Sequence, residues 1–121
     1  MAAPNLVNVA TITAKSVQAT LDTTLTTEIL ANASSSGKVF KVNAIIIANI
    51  DGSSAADASV AITKSGGSPI MIASTISVPA DATLVVIDKN SSIYLEEGDN
   101  IEAGASANSD LTITISYEEL S

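Results

Sequence analysis

Residues 111–118, close to the end of the chain, read Leu-Thr-Ile-Thr-Ile-Ser-Tyr-Glu. Apolar and polar side chains alternate along the whole octapeptide. Successive side chains of an extended strand point to opposite faces, so this repeat gives one apolar face and one polar face. The pattern is typical of a half-buried strand in an antiparallel sheet, and its predicted inward row is Leu111, Ile113, Ile115 and Tyr117.

Eight further strand candidates precede this strand, and turn-forming residues separate them. At most one turn of helix is expected, over residues 15–22. Evenly spaced short strands joined by short turns predict an all-β protein, an antiparallel β-sandwich that is jelly-roll or Greek-key like, with about eight to nine short strands. The eight candidates lie at about residues 7–13, 24–30, 38–50, 58–64, 70–78, 83–88, 92–95 and 101–106.

Other strand candidates carry apolar side chains in different patterns. A second inward row is predicted on the fifth candidate, from Ile70, Ile72, Ile76 and Val78. Two segments, 44–48 and 84–87, are apolar on both faces. Either they are central strands covered on both sides, or one face of each contacts another subunit. The candidate interface residues in these two segments are Ile45, Ile46, Ile47, Leu84, Val85 and Val86.

The composition agrees with a sheet protein of one domain. Of the 121 residues, 15 are isoleucine, 12 are threonine and 9 are valine, and β-branched side chains suit a pleated sheet. A chain of this length forms one modest core. We therefore predict a single domain over residues 1–121, in which residues 1–8 are a candidate extended N-terminal arm.

Charge and hydropathy exclude two classes of partner. The net charge is −8, with five lysines and no arginine, whereas nucleic-acid binding needs a basic face. The mean hydropathy is +0.40, yet no apolar run reaches the roughly 18 residues of a membrane span. Charged residues are only 15% of the chain, against about 25% in ordinary soluble domains. We interpret this as a weakly polar surface that neighbouring subunits cover.

Catalytic and metal-binding chemistry has few candidates. The chain has neither histidine nor cysteine, which removes the commonest general base and the commonest transition-metal ligands. The acidic group of Glu96, Glu97 and Asp99 is interpreted as a solvated hairpin tip, and Glu118 with Glu119 as a solvated strand end. Oxygen ligands for calcium occur over 51–57, but a turn between two strands is the favoured interpretation. We predict no enzyme, no catalytic residue, no metal site and no cofactor.

The first residues, Met-Ala-Ala-Pro-Asn-Leu, contain neither a basic region nor a long apolar stretch. We therefore expect no signal peptide and folding in the cytoplasm where the chain is made.

Four stretches resemble one family of proteins. They are KVFKVNAIIIAN at 38–49, ISVPADATL at 76–84, IYLEEGD at 93–99 and ISYEE at 115–119. Together they are similar to small virion proteins of tailed phages, especially phages of marine bacteria and cyanobacteria. The resemblance implies a structural component, such as a head decoration (cement) protein, or a tail, neck or fibre-base component.

The leading hypothesis from this resemblance is a decoration protein on the capsid surface that binds the major capsid protein and stabilises the head shell. Its expected state is a homo-oligomer, with a trimer at threefold positions, made in the host cytoplasm. A hypothesis of another class is a carbohydrate-binding β-sandwich module, for which Tyr94 and Tyr117 are the available tyrosines.

Overall fold

The computed structural model describes residues 6–25 and 27–121. Most of the predicted N-terminal arm therefore lies outside the described residues. The described chain contains two single-turn 3-10 helices, Leu6–Asn8 and Lys89–Ser91, and nine strands. The strands are β1 (Ile12–Thr20), β2 (Thr27–Ala31), β3 (Val39–Asn49), β4 (Ala56–Thr63), β5 (Ile70–Val78), β6 (Thr83–Ile87), β7 (Ile93–Leu95), β8 (Asn100–Ala105) and β9 (Leu111–Leu120).

The strands form two antiparallel sheets. One has five strands in the order β1-β9-β3-β6, with β7 also paired to β3, and the other has four in the order β2-β8-β4-β5. β6 pairs with the second half of β3 and β7 with its first half. The 3-10 turn Lys89–Ser91 separates β6 from β7. These two strands therefore form one interrupted edge strand.

The pairing is nested along the chain. β1 pairs with β9, β2 with β8, β3 with β6 and β7, and β4 with β5. Strand pairs nested in this way are those of one long antiparallel hairpin, in which the start of the chain pairs with its end. Pairing of β9 with β3 and of β8 with β4 then closes the folded hairpin into two sheets. This is a jelly-roll β-sandwich, so the predicted fold is confirmed.

The core lies between the two sheets. The ring of Tyr117 on β9 packs against that of Phe40 on β3, with ring centroids 5.1 Å apart and ring planes tilted by 36°. Directly opposite residues of an antiparallel pair lie on the same face, so alternate residues of β3 face the core together with those of β9. The inward row predicted on β9 is confirmed, since all of its members are buried: Leu111, Ile113, Ile115 and Tyr117.

The first strand differs from its prediction. The predicted bounds 7–13 were wrong, because β1 runs through Ile12–Thr20. This strand also occupies most of the segment 15–22, where at most one turn of helix was expected. This strand pairs with β9 without a register shift, and Val17 and Ala19 pack against the core. The long ladder and the packing of these two side chains override the weak local preference of the segment for a turn of helix.

The predicted inward row on β5 is also wrong for three of its four members. Only Val78 is buried, whereas Ile70 is 66% exposed, Ile72 39% and Ile76 41%. β5 is the last strand of the four-stranded sheet. Side chains at a sheet edge lie beyond the shelter of the opposing sheet, which is the physical reason for their exposure.

Candidate interaction surface

The two segments that are apolar on both faces, 44–48 and 84–87, lie side by side in the five-stranded sheet, within β3 and β6. Ile45 and Ile47 are fully buried in the core, and Leu84 and Val86 pack against it. The other two of the six candidate residues are directly opposite each other in the ladder, Ile46 on β3 and Val85 on β6. They point away from the core, and Val85 is 56% exposed.

The outward-pointing residues around this pair define a surface, called the outer face below. All of its side chains are uncharged, and most of them are short; Gln18 is a longer one and ends in a neutral amide. A charged cross-strand pair, Lys41 and Glu118, lies on the same side of the sheet beyond the limit of the outer face. The outer face consists of Ser16, Gln18 and Thr20 on β1, Thr112, Thr114 and Ser116 on β9, Ala44, Ile46 and Ala48 on β3, and Thr83 and Val85 on β6.

A shallow groove of about 330 Å³ crosses the outer face between β1 and β9. Gln18 spans this groove, because its side-chain amide Nε2 donates to Thr114 Oγ1 over 3.2 Å. Thr20 and Thr112 also line it. The groove therefore offers hydrogen-bonding groups and short side chains, but no ionised group.

The four-stranded sheet presents a different outward side. Gly104 on β8 lies under the β1–β2 connection, since a Cβ atom built there would be 2.9 Å from Leu25 Cα. A depression of about 150 Å³ lies beside this crossing. Glu102, only 9% exposed, accepts a hydrogen bond from the Thr63 hydroxyl, and Glu28 is directly opposite it on β2. This side is partly covered by the chain itself and carries acidic groups.

The acidic group at 96–99 is only in part the predicted solvated hairpin tip, because the Glu96 side chain is 68% exposed whereas Asp99 is buried. Asp99 is only 2% exposed, and its carboxylate accepts from Lys64 Nζ at 2.5 Å and from the backbone N–H groups of Ser65 and Glu96. Burial raises the pKa of Asp99, but these hydrogen bonds outweigh it and hold the pKa below its ordinary value. Lys64 also pairs with Glu96 at 2.9 Å. The cluster ties two loops together and is structural.

A second ion-pair cluster replaces the predicted solvated strand end. Glu119 on β9 accepts from Lys15 at 3.2 Å and from Lys38 at 3.1 Å, and its side chain is only 13% exposed. Burial raises the pKa of Glu119, while hydrogen bonds from Lys38 and Lys15 lower it by more, so it lies below its ordinary value. Sequence reasoning missed both clusters because the partners are far apart in the chain.

The loop considered for calcium forms a turn. Asp51 Oδ1 accepts from the backbone N–H and the hydroxyl of Ser53, both at 2.9 Å. These hydrogen bonds, the largest cause, lower the pKa of Asp51. Among residues 6–25 and 27–121, no group of three or more His, Cys, Asp or Glu side chains is placed to hold a metal ion.

The two tyrosines have different environments. Tyr117 is 8% exposed and belongs to the core, whereas Tyr94 on β7 is 46% exposed. Tyr94 is directly opposite Lys41 on β3. Only Tyr94 is therefore open to a ligand.

No helix in the described part of the chain is both long and apolar enough to cross a membrane. Comparisons of the chain with protein-family models, with curated proteins and with solved structures found no match.

Proposed function

We propose that the chain is a structural virion protein, a decoration protein that binds the head shell of a tailed phage and stabilises it. The observation that carries the proposal is the outer face of the five-stranded sheet. It is free of charge on a protein whose net charge is −8. An exposed surface of this kind is typical of a protein–protein contact, where charged groups are depleted at the centre.

The residues of the outer face suit a contact with a second protein surface. Ile46 and Val85 offer apolar area at the centre, and the surrounding hydroxyls of Thr112 and Thr114 accept and donate hydrogen bonds. Short side chains lose little conformational entropy when they are covered. The partner in this proposal is the major capsid protein, whose subunit joints the outer face would bridge.

The physical effect of such bridging is an added contact across joints of the shell. Each copy contributes buried area only when the shell is assembled, so the bound copies stabilise the assembled state by mass action. The resemblance of residues 38–49, 76–84, 93–99 and 115–119 to small phage virion proteins supports the same function.

Binding of the purified chain to undecorated phage heads tests the proposal. We expect Thr114→Lys and Ile46→Lys to weaken binding at least about tenfold, because each places an unpaired charge in the contact. Ser68→Lys, in the exposed turn before β5, is the control and should bind as the parent chain does. Equal binding by all three variants would contradict the proposed surface.

Cryo-electron microscopy of the virions tests the location directly. Density for the chain on the head, at many copies per particle, is the expected result. A few copies in the tail or neck would instead favour the alternative of a tail, neck or fibre-base component. Absence from the head would end the decoration proposal.

Tyr94 keeps a carbohydrate-binding module as a second candidate, since aromatic faces stack on sugars and this ring is 46% exposed. Glycan-array binding that Tyr94→Ala abolishes would favour this candidate. The matched control is Tyr94→Phe, which keeps the aromatic face.

A further inference from the structure

The first strand of the five-stranded sheet, β1, has a backbone that is hydrogen-bonded on one side only. It pairs with β9 alone. Thr11 and Ser121 exchange two backbone hydrogen bonds, of 2.9 and 3.0 Å, and the N–H of Leu21 donates to the carbonyl of Leu111 at 2.8 Å. The ladder between these two ends has no register shift. The odd-numbered residues of β1 therefore carry the hydrogen bonds to β9.

The even-numbered residues of β1 direct their N–H and C=O groups away from β9. Residues of an antiparallel strand alternate between the two sides in this way. Among residues 6–25 and 27–121, no strand lies on that second side of β1. These even-numbered residues are called the β1 edge below, and all of them are exposed: Ile12, Ala14, Ser16, Gln18 and Thr20.

The other edges of the two sheets carry irregularities that discourage the addition of a strand. β2 has only five residues and a register shift, and a 3-10 turn interrupts the β6–β7 edge. The ladder of β5 shifts register on both sides of Val60, and Thr75 on β5 has a φ of 48°. β1 runs for nine residues without a shift. Among the described strands, it alone offers a long and regular edge.

Lys15 is the one charged residue of β1, and a lysine on an edge strand often serves to prevent pairing. Here its Nζ lies 3.2 Å from a carboxylate oxygen of Glu119. Glu119 belongs to β9, which is the neighbour of β1 on the side away from the open edge. The lysine is thus neutralised and held on its own sheet, so it leaves the β1 edge accessible.

We infer that the β1 edge pairs with the β1 edge of a second copy of this chain, in antiparallel orientation about a two-fold axis. Open N–H and C=O groups need a partner with the same groups at the same spacing, which is an extended strand. A second copy presents such a strand, equal in length and equally regular. The contact joins identical surfaces, as two-fold symmetry requires.

The sequence of β1 selects the register of this pairing. An axis at Ser16 pairs all nine residues of both strands, so that every open N–H and C=O group of the β1 edge meets a partner. Lys15 then lies opposite Val17 of the second copy, which is uncharged. An axis at Lys15 would instead place two like charges directly opposite each other, which is destabilising.

The pairing of two single strands sets the strength of the contact. Stable specific interfaces bury at least about 1,200 Å², whereas an edge-to-edge contact adds hydrogen bonds rather than a large buried area. We therefore expect a dimer that dissociates on dilution. In this dimer, the five-stranded sheets of the two copies form one continuous sheet. A two-fold dimer also differs from the trimer that the resemblance to decoration proteins implies.

Analytical ultracentrifugation of the full chain over a concentration series tests the inference. The parent chain should pass from monomer to dimer as its concentration rises. Ser16→Pro removes the N–H at the axis in both copies, yet keeps the ladder with β9, because proline is tolerated where the N–H of an edge strand faces solvent. We expect it to raise the dimer dissociation constant at least about tenfold, since two hydrogen bonds are lost.

The matched control is Ser16→Ala, which changes the same side chain but keeps the N–H, and it should dimerise as the parent chain does. Circular dichroism checks that both variants retain the sheets. A chain that stays monomeric, a trimer, or equal dissociation constants for Ser16→Pro and Ser16→Ala would overturn the inference.

Cross-linking adds a measurement that needs no proline, and it decides the matter should Ser16→Pro fail to fold. The chain has no cysteine, so Ser16→Cys introduces a single thiol at the axis. Hydrogen-bonded residues opposite each other have Cα atoms about 5.5 Å apart, which is within disulfide reach. The control is Ser116→Cys, because Ser116 is exposed on β9 directly opposite Ser16 and one strand further from the edge.

We expect Ser16→Cys to form a disulfide-linked dimer at least about tenfold faster than Ser116→Cys, whose thiols the pairing holds too far apart. Equal rates would overturn the inference. These measurements use the isolated chain, so they do not depend on the head proposal. A dimer that fails to bind heads removes the proposed function alone, and a monomer that binds heads removes the β1 contact alone.

Discussion

At the scale of single residues, Asn49 shows how a buried polar group can hold loops in place. Asn49 ends β3 and is 3% exposed. Its Nδ2 donates to the carbonyl groups of Ser54 and Val78, both at 2.9 Å, and its Oδ1 accepts from the N–H of Asp51 at 2.8 Å. Asn32, at the end of β2, is satisfied in a similar way by groups of its own loop and β7.

We expect Asn49→Ala to lower the free energy of unfolding by about 2 kcal/mol, because it removes the hydrogen-bond partner of the buried Val78 carbonyl and of two part-buried groups, the Ser54 carbonyl and the Asp51 N–H. Urea unfolding followed by circular dichroism measures the change. The control is Asn90→Ala, in an exposed 3-10 turn, which should change the free energy by less than about 0.5 kcal/mol. Equal effects would show that the three hydrogen bonds contribute nothing specific.

Asp99 links residue chemistry to pH. Its pKa is lower in the folded chain than its ordinary value, so the folded state holds this proton less readily than the unfolded state does. The resulting stability is present above about pH 4, the ordinary value for Asp, and is lost as the pH falls through the folded-state pKa. Glu119 changes in the same direction.

Chemical unfolding between neutral pH and about pH 3 tests this. We expect Asp99→Asn to be less stable than the parent chain at neutral pH and to lose less stability on acidification. Asp81→Asn, in the exposed β5–β6 turn, should keep the acid dependence of the parent chain. An unchanged acid dependence in Asp99→Asn would contradict the structural role of the Lys64–Asp99 pair.

At the scale of elements, the strand β8 depends on a close backbone crossing. A Cβ atom at Gly104 would lie 2.9 Å from Leu25 Cα and 3.1 Å from the Thr24 carbonyl oxygen, both of which are backbone atoms. Backbone cannot move aside as the end of a side chain can. The glycine therefore permits the β1–β2 connection to pass over β8.

Gly104→Ala should lower the free energy of unfolding by about 1–3 kcal/mol, the usual cost of overpacking. Thermal unfolding measures it. Gly52→Ala is the matched control, since the nearest atom to its Cβ would be a carboxylate oxygen of the Asp81 side chain at 3.7 Å, and it should be nearly neutral. A neutral Gly104→Ala would mean that the connection can shift away from β8.

At the scale of the whole molecule, net charge opposes contacts between copies of the chain. Each copy carries −8, so copies repel one another at low ionic strength. Added salt screens this repulsion, with a Debye length of about 10 Å at 0.1 M and about 3 Å at 1 M. Self-association of the purified chain should therefore increase as sodium chloride is added, which sedimentation equilibrium measures. Association that weakens with salt would indicate a contact held by ion pairs.

How well each strand was predicted depended on its position in the sheets. β9 is central, so its alternation of apolar and polar residues matched its burial. The apolar residues Ile70, Ile72 and Ile76 of β5 carry a comparable pattern, yet they lie at an edge and are exposed. β1 has no clear period, and only its ladder with β9 makes it a strand.

The candidate surface was predicted in part. The segments 44–48 and 84–87 were recognised as apolar on both faces, but the sequence left open whether Ile46 or its neighbours point outward. A two-residue repeat divides the side chains of a strand between its two faces, but it does not show which face is buried. The Lys64–Asp99 and Glu119 clusters carried no local signal, because each joins lysine and carboxylate side chains at least 32 positions apart in the chain.

Composition and local periodicity determined that this chain is a β-sandwich, that it lacks histidine and cysteine, and that residues 65–80 are free of charge. Only the tertiary structure decided the nested strand order, the edge position of β5 and the burial of Asp99. The reason is that side-chain preferences act along the chain, whereas edges, faces and buried ion pairs are set by which distant strands pair.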